Sequence, residues 1–104
     1  MSENNNNNKF VHALTIIDNG SKTLGDRGQL RDQPQGERSM AAVVKVWNAL
    51  TGRNITEAEG WEFMIALKLV RGRQGKFHED DYVDMVGYAA LLGECESKRE
   101  RGSG

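Results

Sequence analysis

The chain of 104 residues contains a single cysteine, Cys95, and a single proline, Pro34. One cysteine cannot close an internal disulfide, and no signal peptide or transmembrane run stands out, so a cytosolic, reducing setting is the expectation. An excess of charge is lacking as well. The formal net charge is −1, which removes the electrostatic basis for binding nucleic acid non-specifically or an anionic membrane surface, although a local basic site stays open. Nucleophilic catalysis has little to draw on: Cys95 lies in a charged C-terminal stretch, and the two histidines, His12 and His78, have no evident nucleophile. Zinc lacks its ligand spacing, and neither a P-loop nor a dinucleotide-type glycine fingerprint occurs.

Hydrophobic residues make up 38% of the chain, a low share for a globular domain. The polar residues gather at the ends, however. Residues 1–8, with their run of asparagines, and the charged, glycine-containing residues 97–104 have nothing to bury and are expected to be disordered tails around one helical domain at 9–96. A core of roughly 80 to 90 residues is marginally stable alone. A homo-oligomer is therefore expected.

The chain centres on Thr56 to Arg71, T-E-A-E-G-W-E-F-M-I-A-L-K-L-V-R. Thr56 and Glu59 form a capping-box pattern that fixes a helix start, and the apolar residues after it spread around nearly the whole circumference. A helix apolar all round is normally buried, so this one is expected at the centre of the fold. Lys68 and Arg71, three residues apart, share one side of it. Their stems either snorkel to water at the helix C-terminus or bring two cations to a partner, which would be carboxylates or a ligand's phosphates.

Two more helices read clearly. Glu37 to Thr51 carries Met40, Val43, Val44, Trp47 and Leu50 on one stripe and is closed by Gly52. Glu79 to Lys98 presents Tyr82, Val83, Met85, Val86, Ala89, Ala90 and Leu92 over a wide arc, with Asp80, Asp81 and Asp84 on the other side and Tyr88 one turn beyond Asp84. Lys9 to Asn19 has the spacing of a helix in Phe10, Ala13, Leu14 and Ile17, with Gly20 as its terminator, or else forms a short strand. The fold class is all-α, a small bundle of three or four helices.

Ser21 to Gly36 shows no period and reads as a long Gly/Arg-rich loop before the second helix. Long loops without secondary structure are often functional. With Arg27, Arg31 and Arg38 converging on a helix N-terminus it resembles an anion cradle; as a solvated loop it would be neutralised by Asp26 and Asp32. The pair Asp81-x-x-Asp84 places two carboxylates on one helix face, where they either share a hard cation such as Mg²⁺ or pair with Lys68 and Arg71.

The segments R-G-Q-L-R-D-Q-P-Q-G-E-R-S-M, W-N-A-L-T-G, G-W-E-F-M-I-A-L-K-L-V-R and D-D-Y-V-D-M-V-G-Y-A-A-L resemble a group of small phage and prophage proteins of uncharacterised function. That group is distantly similar to the MazG-like all-α nucleoside triphosphate pyrophosphohydrolases, oligomers that hold Mg²⁺ with an E-x-x-E pair on one helix and an E-x-x-D pair on another. By that resemblance the second pair falls on Asp81 and Asp84. The first has no counterpart: Lys68 and Arg71 stand in its place, and Glu59 and Glu62 come about two turns too early, which argues against hydrolysis.

The leading expectation is thus a phage-type protein that binds a nucleotide or nucleotide-like phosphate ligand and acts on host nucleotide metabolism or defence signalling. Arg27, Arg31, Arg38, Lys68 and Arg71 would hold phosphates, and Trp47, Trp61 or Tyr88 a base. An oligomeric module that binds a host protein, with no small-molecule site, is the second expectation. A Mg²⁺-dependent pyrophosphohydrolase using Asp80, Asp81, Asp84, Glu59 and Glu62 is the third.

Overall fold

The computed structural model describes residues 10–30 and 39–103, without the side chains of 26–30 and 100–103. Among the described residues the chain forms four helices and no strand: α1 (Ala13–Leu30), α2 (Met40–Thr51), α3 (Glu57–Gly72) and α4 (Glu79–Ser103). Helix α4 packs against both α1 and α3, while α2, among the described helices, rests on α3 alone. The α3–α4 pair is therefore the spine of the bundle.

The start of α3 follows its sequence signature. Thr56 Oγ1 accepts from the Glu59 N–H at 3.1 Å, and Glu59 Oε1 accepts from the Thr56 N–H at 2.9 Å, so both halves of the capping box form. Gly52 closes α2 in the left-handed conformation, φ 73°, with its N–H donated to the Asn48 carbonyl. The turn into α3 is then fastened by one side chain. Asn48 Nδ2 donates to the Ile55 carbonyl, and its Oδ1 accepts from the Ile55 N–H, both at 3.0 Å.

Helix α1 corrects the sequence reading. It does not stop at Gly20 but continues through Ser21–Leu30, the first part of the expected Gly/Arg-rich loop; the rest of that loop lies outside the described residues. A glycine inside a helix costs only about 1 kcal/mol relative to alanine, and contacts with α4 offset it here. Gly20 sits so close to α4 that a Cβ would stand 2.8 Å from Val86 Cγ1, and Asn19 donates to Glu79 Oε2 at 2.8 Å. The inner face of α1 is Ile16, Asn19, Gly20 and Thr23, whereas Leu14 and Ile17 of the expected stripe point outward. At the other end, α4 runs past Lys98 to Ser103, into the stretch expected as a tail.

Burial also departs from expectation. On α3 only Ala58, Gly60 and Trp61 are buried, while Phe63, Leu69 and Val70 are exposed, so a single chain does not enclose the helix that the sequence marks as central. On α2 the seat is one narrow line, Met40, Val44 and Asn48, at a spacing of four, and Val44 alone is buried. Met40 and Val44 lie against Gly60, whose missing side chain makes room for them.

Because Asn48 satisfies both backbone groups of Ile55, Asn48→Ala should lower the unfolding free energy by about 1–3 kcal/mol, the cost of leaving such groups without partners. Urea denaturation followed by circular dichroism measures this. A change below about 0.5 kcal/mol would mean that the turn holds its shape without the clamp.

Candidate functional site

The α3–α4 seam carries the titratable groups that the sequence singles out. Lys68 comes one turn after Met64 and two after Trp61 on α3, and Asp81, Asp84 and Tyr88 follow one another at helical spacing on α4. Lys68 Nζ lies 2.8 Å from Asp84 Oδ2 and 3.9 Å from Asp81 Oδ1, and Arg71 Nε lies 3.9 Å from the same Asp81 oxygen. The Lys68 and Asp81 side chains are only 12% and 8% exposed, against 59% for Arg71. Of the alternatives left by the sequence, the pairing of these cations with carboxylates of the same chain is the one observed.

A polar cleft surrounds this cluster, lined by Lys68, Arg71, Gln74, His78, Asp80, Asp81 and Asp84. Two full positive charges face Asp81 and Asp84, so that four-residue core is balanced and not cationic. A phosphate entering the cleft must compete with carboxylates for Lys68 and Arg71. A divalent cation meets the converse obstacle, since the Lys68 ammonium already stands against both aspartates.

Further along the seam, across Asp84, lies a cavity of about 240 Å³ to which all four helices or their flanks contribute. Trp61 and Tyr88 stack on its wall with ring centroids 5.8 Å apart and planes 29° from parallel. Thr23, Ser39, Met40, Val43 and Met64 complete much of the lining, and among the described residues that line it Asp84 is the one that is charged. Asp84 thus belongs to both the cavity and the cleft.

The candidates therefore sort by place. Lys68, Arg71, Asp81 and Asp84 come together in the cleft, and Tyr88 belongs to the cavity beside it. Arg27 lies on α1, and its side chain, like the whole of Arg31 and Arg38, falls outside the described residues. Trp47 lines neither recess and stands 47% exposed on α2. The contribution of Gly20, Thr23 and Leu24 to the cavity was missed because that stretch reads as a loop. Its signal was the four-residue recurrence of Ile16, Gly20 and Leu24, which continues the helix.

The set of donors does not fit Mg²⁺. This ion wants six oxygen ligands in near-octahedral array, and among the described residues no three of His, Cys, Asp and Glu are gathered to hold a metal. Glu59, which the hydrolase reading requires, is engaged in the α3 cap. Cys95 is no better placed as a nucleophile: burial pushes its thiol up, the charges of Glu57 and Glu96 add to this, and Lys98 and Arg99 oppose it. A thiol raised in this way stays protonated and unreactive at neutral pH.

The family model for DUF6378, a domain of unknown function, matches residues 16–96. The chain belongs to the DUF6378 family. No curated protein and no solved structure matches it. The span matched to DUF6378 takes in the cavity and the ion cluster whole, from Gly20 to Leu91. In addition, no helix among the described residues is long and apolar enough to cross a membrane.

Removing Lys68 takes from Asp84 its 2.8 Å cationic contact and from Asp81 one of the two cations 3.9 Å away. Lys68→Met should cost about 3 kcal/mol, as for one partner lost from a buried pair. Adding Asp81→Asn and Asp84→Asn should recover most of that loss. Chemical denaturation of the three-fold variant beside the single one decides it: equal stability of Lys68→Met and wild type would mean that the cluster is effectively solvated.

Proposed function

We propose that the protein binds a nucleotide-like ligand, a flat nitrogenous ring carrying an anionic phosphate, without hydrolysing it. The observation that carries this reading is the position of Asp84 between an aromatic-walled cavity and a cleft containing two cations. A space of about 240 Å³ takes a ring of nucleobase size but not a whole nucleotide. Trp61 and Tyr88 supply the apolar and π surface that such a ring wants, and the Asp84 carboxylate accepts from a ring amino or imino N–H. The phosphate then extends into the cleft toward Arg71, the more exposed cation.

Binding on this account is an exchange of partners. The ligand's donor edge replaces Lys68 at Asp84, and its phosphate takes up the charge of Lys68 and Arg71. No metal is needed, because the two cations do the neutralising. The resemblance of the chain to phage and prophage proteins makes host nucleotide metabolism or nucleotide-triggered defence the setting for such a binder. Retention of Mg²⁺ by Asp81 and Asp84, with pyrophosphate release, is the less favoured reading because Lys68 stands where the ion would. Capture of a host protein draws support from the exposed apolar residues of α2 and α3.

Thermal melting in the presence of nucleoside mono-, di- and triphosphates and cyclic dinucleotides, with and without Mg²⁺, tests the proposal. A ligand at 100 times its Kd adds about 2.7 kcal/mol, a rise of several degrees in a domain of this size. The expected rise is independent of metal, reduced at least ten-fold in apparent affinity by Arg71→Ala, and lost in Tyr88→Leu. A rise that requires Mg²⁺ would favour the hydrolase, and no rise with any ligand would remove the small-molecule reading.

A further inference from the structure

Among the described residues, helix α2 is held along a single line of side chains, yet its other faces are strongly apolar. Val43, Val46, Trp47 and Leu50, at i, i+3, i+4 and i+7, form one stripe, and all four are exposed, Leu50 to 75%. On α3 a second stripe follows the same rule. Phe63, 69% exposed, lies with Leu67 three and seven residues beyond Gly60, so both lie on the side of α3 where α2 crosses it; Val70 follows one turn after Leu67. The two stripes thus border the same α2–α3 contact, and neither includes a charged residue.

We propose that a second copy of this chain covers these stripes, so that two α2–α3 units pack into a four-helix layer around a two-fold axis. This goes beyond the ligand reading and does not depend on it. Val46, Trp47, Leu50, Phe63, Leu67 and Val70 together expose roughly 600 Å², most of the ~800 Å² per partner that a stable interface of standard size buries. Polar residues at the rim would supply the remainder.

The occupant is argued from what α2 needs. A helix of 12 residues is marginal in isolation, and the line through Met40, Val44 and Asn48 leaves most of its apolar surface wet. Such a helix requires cover whenever the protein is folded, and the one partner always present is another copy of the same chain. A two-fold axis lets one patch meet itself, each residue of it contacting its counterpart region in the other subunit. The absence of charge along both stripes fits a permanent interface, whose centre is depleted of charged residues.

Sedimentation equilibrium of the full chain over 1–200 μM, together with melting at the same concentrations, tests this directly. The expected mass is that of two chains, or of four that Leu50→Lys with Phe63→Lys splits to single chains, with a Tm that rises with concentration. The substituted side chains are exposed in the single chain, so the variant retains its internal core; should it nevertheless unfold, the concentration dependence of the wild-type Tm still decides. A wild-type protein that sediments as one chain at 200 μM, or an assembly indifferent to both substitutions, would overturn the proposal and leave the stripes to a different partner.

Discussion

The pairing of Lys68 with Asp84 and Asp81 is the constraint on which the other arrangements depend. It joins the two helices that touch everything else, since α1 is seated on α4 and α2 on α3. Carboxylates so little exposed cannot be left without a counter-charge, because the desolvation of an unpaired ion costs several kcal/mol. The register of α3 against α4 is accordingly tied to the turn that brings Lys68 level with Asp84. Trp61, two turns before Lys68, then meets Tyr88, one turn after Asp84, as a result of that register.

Much of this was legible in the sequence because it rests on local chemistry. The Thr56/Glu59 box, the glycine that ends α2 and the opposite charges at 68, 71, 81 and 84 are short-range signals, and each has a physical meaning that survives in three dimensions. Helix α1 was less legible. Gly20 reads as a terminator and the aperiodic stretch after it as a loop when only local pattern is considered, and the packing of Gly20 on Val86 that favours continuation is a contact between residues far apart in the chain. The same cause hid the cavity, whose α1 wall is made of those residues.

The burial of α3 shows a different kind of limit. Periodicity reports that a helix is apolar all round, but not which molecule supplies the surroundings. Trp61 and Ala58 are enclosed by the chain itself, whereas Phe63 and Val70 are not. A sequence pattern of this type therefore describes the sum of a protein's own core and its interfaces. The site is similar: opposite charges in two neighbouring helices suggest either a ligand cradle or a salt bridge, and only the 2.8 Å separation of Lys68 from Asp84 distinguishes a filled arrangement from a waiting one.

Gly20 lines the cavity and at the same time sits against α4, with no room for a Cβ beside Val86. The bore of the recess is consequently gauged by a single hydrogen atom. Any larger residue at that position would wedge α1 away from Val86 and widen the space beside Trp61 and Tyr88, loosening the seat of the helix as it enlarged the room for an occupant. Firmness of the bundle and the size of what it admits are set by one dial, and a lineage changing the second would have to re-tighten the first somewhere else.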